Sequence, residues 1–543
     1  MPIRMEDDPQ DQQEYVDDNS GGGGGRGGGG GGLMNFLPMI LSLFGGGGGG
    51  KKLIFLVVLA VGGFFLYNKF AGGGCNANSI QDIAKNLNFS KSGYSFSPEE
   101  FKKANVYEGL EDDKTKNPLP EFVSLLKFAP SPGDQGQQGS CVAWSSVYAA
   151  RTIVEAASTG KSGNETKFSP SFVYNNIALE GCQGSYIQKA MEFMANKGVV
   201  PYEDFKYNDQ DCSEQPSSQL FQEAAGNKMH GFTRLTETED VNGINIRAVK
   251  EHLAKDAPVV IGMMVGGSFM QDMKGRDTWR PTDDDRSQMG FGGHAMCVIG
   301  YDDRKNFGQT ADGKDLVGGF QIQNSWGNDW GKNGVAWIYY GDFKEFVREA
   351  YGIDPMPKRG AALNVPFECT IGLMRNDNKQ YIPLAFTSGT VFQTVGNVAP
   401  GTKFKMEVKN SVECYTYIFG QETDGSSYTL FPYPTKEDPT KTAYSPYCGI
   451  TGYRLFPKGK SLVPDSIGNK DVFAIVVTKQ PIDWFAMNKS ISGGSGDFNA
   501  KVAAALGKYN TNVNFSAGNG GTINFKAGNG DDRPVYCIVE VSK

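Results

Sequence analysis

Asp134-Gln135-Gly136-Gln137-Gln138-Gly139-Ser140-Cys141 runs without a break into Val142-Ala143-Trp144-Ser145-Ser146-Val147-Tyr148-Ala149-Ala150-Arg151. A glycine-punctuated loop that ends where apolar residues recur at helical spacing predicts an amphipathic helix with Cys141 at its N-terminus. Unpaired amides there carry partial positive charge, which favours the thiolate, the nucleophilic form of cysteine. Such a nucleophile needs an imidazole, and the chain has only three, at 230, 252 and 294. His294 fits best. In Gly292-Gly293-His294-Ala295-Met296-Cys297-Val298-Ile299-Gly300-Tyr301, small residues give access and the apolar run reads as a buried strand, with Cys297 a buried thiol. His230 and His252 read as surface or structural residues, His252 lying among Lys250, Glu251 and Lys255. The imidazole in turn needs an orienting group. Asn324, in Phe320-Gln321-Ile322-Gln323-Asn324-Ser325-Trp326-Gly327, ends another strand and precedes an indole able to shield an Asn–His hydrogen bond from water.

These three blocks, in this order, resemble the papain-like cysteine peptidases from Leu119 to about Asp354. The resemblance implies an α+β fold of two lobes, one helical and one a β-barrel, that hydrolyses peptide bonds through a thioester acyl-enzyme, with no metal or organic cofactor. It makes Cys141 the nucleophile, His294 the general base and acid, and Asn324 its orienter. Gln135 and the Cys141 backbone N–H would form the oxyanion hole, and Trp326 would cover the Asn–His pair. Gly181-Cys182-Gln183-Gly184-Ser185-Tyr186 and the later Cys212 resemble the family's disulfide and substrate-backbone strand. That implies a Cys182–Cys212 bond, a cleft lined by Gly184 and Ser185, and Gly293 at the main specificity pocket. Some positions depart from the pattern. Val142 stands where tryptophan is usual, and Gln138 where a disulfide cysteine is common. His294 and Asn324 lie beyond the roughly 130 to 150 residues that papain-type spacing puts between them and the nucleophile. Insertions at 268–291 and 302–318, the second an extended hairpin, account for the excess. The family's long helical pro-region is not recognisable in 72–118, which reads as a spacer or a propeptide.

At 543 residues the chain holds two to four compact units. Its net charge of −7 advertises no basic face for phosphates, so nucleic acid is excluded as a partner. Residues 1–52 read as a disordered, Gly-rich N-terminal region: the first twenty are acidic and polar, and polyglycine at 21–25, 27–32 and 45–50 cannot offset its ordering entropy. The apolar run 33–44 contains Pro38 and is too short to span a bilayer. Residues 53–71 form a 19-residue stretch, about 28 Å at helical rise, enough for a single transmembrane helix. They are read as an uncleaved anchor.

The peptidase-like unit occupies 119–357. A second unit, 367–543, is mostly β: Phe404, Met406 and Val408 alternate with charged residues, and 472–478 and 534–541 are β-branched runs. It resembles, through Tyr428-Thr429-Leu430-Phe431-Pro432 and Asp471-Val472-Phe473-Ala474-Ile475-Val476-Val477-Thr478, a bacterial domain of unknown function found behind peptidase and kinase domains. A β-sandwich-like module is expected, with a protein or surface ligand as its partner. Of nine cysteines, Cys369, Cys414, Cys448 and Cys537 allow two further disulfides in three pairings. Disulfides imply an oxidising compartment. The reading that follows is a single-pass, membrane-anchored cysteine peptidase acting on proteins or peptides, its catalytic unit periplasmic or extracellular and 1–52 cytosolic. The alternative is a catalytically inactive papain-fold scaffold that works through its C-terminal β unit.

Overall fold

The computed structural model describes residues 3–7, 92–237, 243–287, 291–360, 366–528 and 531–543. The polyglycine tracts, the runs 33–44 and 53–71, and Cys75 lie outside them. Among the described residues no helix is long and apolar enough to cross a membrane.

The helix begins at Cys141, widens to a π-helical register over Trp144–Arg151 and is α-helical again over Thr152–Thr159. Gly160 ends it in the left-handed conformation at φ 74°, its N–H donating to the Ala156 carbonyl. Every residue from Cys141 to Ala156 is buried, so this is a central helix and not the amphipathic one expected. The buried cation on it is paired: Arg151 bonds Glu155 at 3.0 Å and lies over the Phe168 ring at 4.7 Å. Helices Pro170–Ile177 and Ile187–Asn196 pack on it. Ser169 caps the first, accepting from the Phe172 N–H, with Pro170 at the position where a missing N–H costs nothing.

Cys182 and Cys212 are bonded, as the resemblance implied, with Cα atoms 6.0 Å apart. The bond closes an otherwise irregular stretch. Replacing both by Ser is expected to lower stability by about 2–4 kcal/mol, read as an earlier urea midpoint; an unchanged midpoint would refute a structural role.

The second lobe is an eight-stranded sheet in the order Phe232–Arg234, Val347–Ile353, Val259–Val265, Gly292–Gln309, Asp315–Gln323, Val335–Tyr339 and Thr278–Trp279, with Phe122–Ser124 also on Gly292–Gln309. No ladder joins its two ends among the described residues, where a barrel was expected. Strands Gly292–Gln309 and Asp315–Gln323 extend into a ribbon closed by a turn at 310–314, so the 302–318 insertion is the extended hairpin anticipated. The described part of the 268–291 insertion, 268–287, folds back on itself: Asp285 caps with Thr282 and accepts from the Ser268 N–H at 2.9 Å.

The C-terminal unit is a sandwich. One sheet orders Ile3–Asp7, Lys460–Pro464, Phe404–Asn410, Phe367–Arg375, Ile523–Ala527 and Val513–Ala517. The other orders Leu384–Ser388, Val391–Thr394, Val535–Ser542, Lys470–Thr478, Cys414–Gln421 and Ser427–Phe431. Ile371, Met406 and Phe525 of the first meet Ile418, Ile475 and Val539 of the second in one core. The second sheet is covered on its other face by helices Trp484–Gly493 and Phe498–Leu506, whose Met487, Ile491 and Val502 pack on Ala474, Val476 and Ile538. Burial on both faces is why Val472 to Val477 is continuously apolar where a half-exposed strand would alternate.

Two expectations are corrected here. Cys369, Cys414, Cys448 and Cys537 are free thiols, packed in the sandwich core as small apolar residues. The N-terminus is not without structure throughout: Ile3–Asp7 forms a strand antiparallel to Lys460–Pro464, which gains the backbone pairing that an edge strand lacks.

Candidate active site

Three elements deliver the side chains. The loop before the central helix is tied down by Gln135: its N–H donates to the Ser325 carbonyl at 2.9 Å, its Nε2 donates to the Gln138 carbonyl at 2.9 Å, and its Oε1 accepts from the Ser325 hydroxyl at 2.8 Å. Cys141 opens the helix that follows. Strand Gly292–Gln309 supplies His294 and then Ala295, whose N–H donates to Cys141 Sγ at 3.4 Å. Asn324 ends the neighbouring strand, and its Oδ1 lies 2.6 Å from His294 Nε2.

An amide oxygen only accepts, so Nε2 carries the proton in that bond and Nδ1 is left with its lone pair. His294 Nδ1 has no hydrogen-bond partner. Trp326 stacks on the imidazole with ring centroids 4.3 Å apart and 27° between planes, which removes water from the Asn–His bond. The thiol, imidazole and carboxamide that the sequence placed far apart thus converge, with Gln135 against the same loop.

Gly184, Ser185 and Gly293 also come together, and what they hold is a segment of this chain. The Ser185 N–H donates to the Gly93 carbonyl at 2.9 Å, the Ser95 N–H donates to the Ser185 carbonyl at 3.1 Å, and the Tyr94 N–H donates to the Gly293 carbonyl at 3.1 Å. Tyr94 and Ser185 run parallel. Glycine is required at both contact points by close approach: a Cβ on Gly184 would sit 2.5 Å from the Gly93 oxygen, and one on Gly293 would sit 2.2 Å from the Tyr94 oxygen. The Tyr94 ring lies over Gly262 and near Glu349, and burial, then that carboxylate, pushes its phenol well above the usual range. Gly93, Tyr94, Gly262 and Glu349 escaped the sequence reading. An extended segment carries no periodicity, and nothing in Ser92-Gly93-Tyr94-Ser95 signals a cleft 90 residues or more downstream.

Blocking reverses the electrostatics expected of a helix N-terminus. Cys141 and His294 are both fully buried. Burial pushes the thiol up to about 11 against the pull of backbone donors including Ala295 and Gly93, and pushes the imidazole down to about 4 against the Asn324 hydrogen bond. Desolvation disfavours thiolate and imidazolium alike, so it outweighs the helix terminus while the cleft is filled. Cys297 is a buried thiol as expected, raised by burial alone. His252 is buried, its Nδ1 2.9 Å from the Ala248 carbonyl, and serves structure.

Residues 129–354 match the family described as papain family cysteine protease. That match covers 226 of the chain's 543 residues. Among curated proteins, the papain-family segment is similar to an uncharacterized peptidase C1-like protein of Acanthamoeba polyphaga mimivirus, 27% identical over 241 residues that cover 43% of this chain and 69% of the relative. Chicken (Gallus gallus) cathepsin K is 28% identical over 207 residues, covering 37% of this chain and 53% of its own. The match thus spans between about half and about two thirds of these relatives' length. Among solved structures, xylellain, a cysteine protease from Xylella fastidiosa, covers 49% of this chain and 97% of its own at 24% identity, with a TM-score of 0.38. The papain-family domain is of cysteine-peptidase type.

Proposed function

We propose that the protein is a cysteine peptidase in which Cys141, His294 and Asn324 hydrolyse peptide bonds. One observation carries this reading: Asn324 engages His294 Nε2, leaving Nδ1 unpaired beside the residue whose N–H contacts Cys141 Sγ. In the proposed cycle Sγ attacks the scissile carbonyl as its proton passes to Nδ1, and the oxyanion is met by the Cys141 N–H and Gln135. The imidazolium returns the proton to the departing amine, leaving a thioester. Water, deprotonated by the same imidazole, then releases the carboxylic acid and regenerates the thiol. Gly184 and Ser185 would hold the substrate backbone where residues 93–95 now lie. The test is hydrolysis of a dipeptidyl amide by the full chain after cleavage at the exposed Lys102 or Lys103, and its loss in Cys141→Ala. Equal turnover by both would overturn the reading.

Attachment to a membrane through 53–71, with the disulfide-bearing domain on the oxidising side, is the second part of the proposal. It rests on the length and apolarity of that stretch. A single crossing there would separate Ile3–Asp7 from Lys460–Pro464, which are paired in one sheet. The two arrangements exclude each other within one chain, and a crosslink decides between them. Glu6 and Ser461 are register partners. If the ladder forms in membranes, Glu6→Cys with Ser461→Cys yields an intrachain disulfide and the single crossing is excluded; with a single crossing the pair stays reduced.

A further inference from the structure

The blocking segment does not end at the cleft. After Ser95 the chain forms a short helix, Pro98–Lys103, and then an irregular run ending in a turn at 114–117 that lies between the papain-family domain and the C-terminal sandwich, bonded to both. On the peptidase side, the Arg234 N–H donates to the Asn105 carbonyl at 2.8 Å and the Tyr107 N–H to the Arg234 carbonyl at 2.9 Å. Glu251 accepts from the Tyr107 hydroxyl at 3.1 Å and the Leu110 N–H at 3.2 Å. Arg247 donates to the Asn117 carbonyl at 3.0 Å.

On the sandwich side six hydrogen bonds come from the stretch 443–454. The Val106 N–H donates to the Ala443 carbonyl at 2.6 Å, and the Ser445 N–H donates to the Val106 carbonyl at 3.0 Å. Arg454 Nε donates to the Glu108 carbonyl at 3.0 Å, and the Glu111 N–H donates to the Tyr453 carbonyl at 2.8 Å. Asn117 closes the run with a reciprocal pair: its Nδ2 donates to the Tyr453 carbonyl and its Oδ1 accepts from the Tyr453 N–H, each at 3.0 Å. Lys116 pairs with Glu407.

We propose that the C-terminal β unit is the latch of the blocking segment: its stretch 443–454 holds residues 105–117 against the papain-family domain and thereby keeps residues 93–95 in the cleft. The physical basis is effective concentration. Ten residues separate Ser95 from Val106, so a strap clamped from both sides presents the plug to the cleft almost intramolecularly rigidly, whereas a strap held on one side presents it through a looser tether. The surface on the sandwich therefore has a defined occupant, an extended segment of this same chain recognised mainly through its backbone. Vacating it opens the active site.

The latch reading rests on the peptidase proposal only for its effect on catalysis, and the test separates the two. In the full chain, Lys116→Met with Asn117→Ala removes strap-to-sandwich bonds without altering a sandwich residue. The latch is read by amide hydrogen exchange at Tyr94 and Ser95, and the site by the rate at which a peptidyl epoxide alkylates Cys141. Exchange at 94–95 at least tenfold faster than in the unaltered chain, with the Lys470–Thr478 amides unchanged, is the result expected; unchanged exchange at 94–95 would overturn the latch. Tyr94→Ala, which loosens the plug directly, serves as the reference. If it speeds alkylation while the strap variant does not, the β unit is not the latch and the peptidase reading stands. If exchange shows the plug released in both and Cys141 is still not alkylated, the latch stands and the peptidase reading fails.

Discussion

Replacing Cys141 by Ala, or His294 by Ala, is expected to lower kcat for a peptide amide by about 10⁶, since nucleophile and base act as one unit and losing either removes the covalent route. The two changes together should cost little more than one alone. Gln135→Ala is expected to cost about 10² to 10³, the value of one preorganised donor to a developing oxyanion. Its effect would fall on kcat and leave KM nearly unchanged. Gln135 also pins the nucleophile loop through two bonds to Ser325 and one to Gln138, so part of its loss should appear as a lower melting temperature. Asn324→Ala should cost less than His294→Ala, because the imidazole remains, stacked on Trp326, but without the bond that fixes its tautomer. Steady-state kinetics on chain cleaved at Lys102 or Lys103 makes these comparisons. A Cys141→Ala chain retaining turnover would refute the covalent mechanism.

The second large effect is on pH dependence. With the cleft filled, the Cys141 thiol sits at about 11 and His294 at about 4. At pH 7 both are neutral, and the thiolate fraction is about 10⁻⁴, from the four-unit distance between pH and pKa. Alkylation of the intact chain by iodoacetamide should therefore be slow and rise about tenfold per pH unit from 7 to 10, as a thiol below its pKa gains thiolate in proportion to hydroxide. Opening the cleft readmits water. That removes the penalty on both charged forms, so the thiol pKa falls and the imidazole pKa rises until the proton rests on His294 at neutral pH. Alkylation of the opened chain should be fast and nearly flat from pH 6 to 8, and His294→Ala should restore the steep slope. Identical slopes before and after opening would show that residues 93–95 do not set the ionisation of the pair.

This latent state also bears on the scaffold alternative. A blocked cleft and a neutral pair would make an intact chain look inactive in a simple assay. The candidate residues Cys141, His294 and Asn324 lie beneath the plug with the Asn324–His294 bond formed, so inactivity of the uncut chain is what the reading of a latched enzyme requires.

The candidate site was legible in the sequence because it is carried by short local patterns. A glycine-bounded loop running into a helix places Cys141; a strand entered through Gly292-Gly293 places His294; a strand ending in Asn324-Ser325-Trp326 places the orienting amide and its cover. Such motifs bring their geometry with them, since the chemistry restricts the residues on either side. The hairpin at 302–318 was legible for the same reason.

What tertiary structure alone decided is what depends on a second surface. Apart from the short helix Pro98–Lys103, residues 92–117 are irregular, so their role comes from Ser185, Gly293 and Tyr453, which the chain brings up from far away. The same holds for the helix Trp484–Gly493: its apolar stripe gains meaning only once Lys470–Thr478 is seen to be buried on both faces. Ionisation is the sharpest case. A helix N-terminus lowers a thiol pKa and burial raises it, and which prevails at Cys141 is set by whether Gly93 and Tyr94 exclude water, a fact of packing that no residue near Cys141 records.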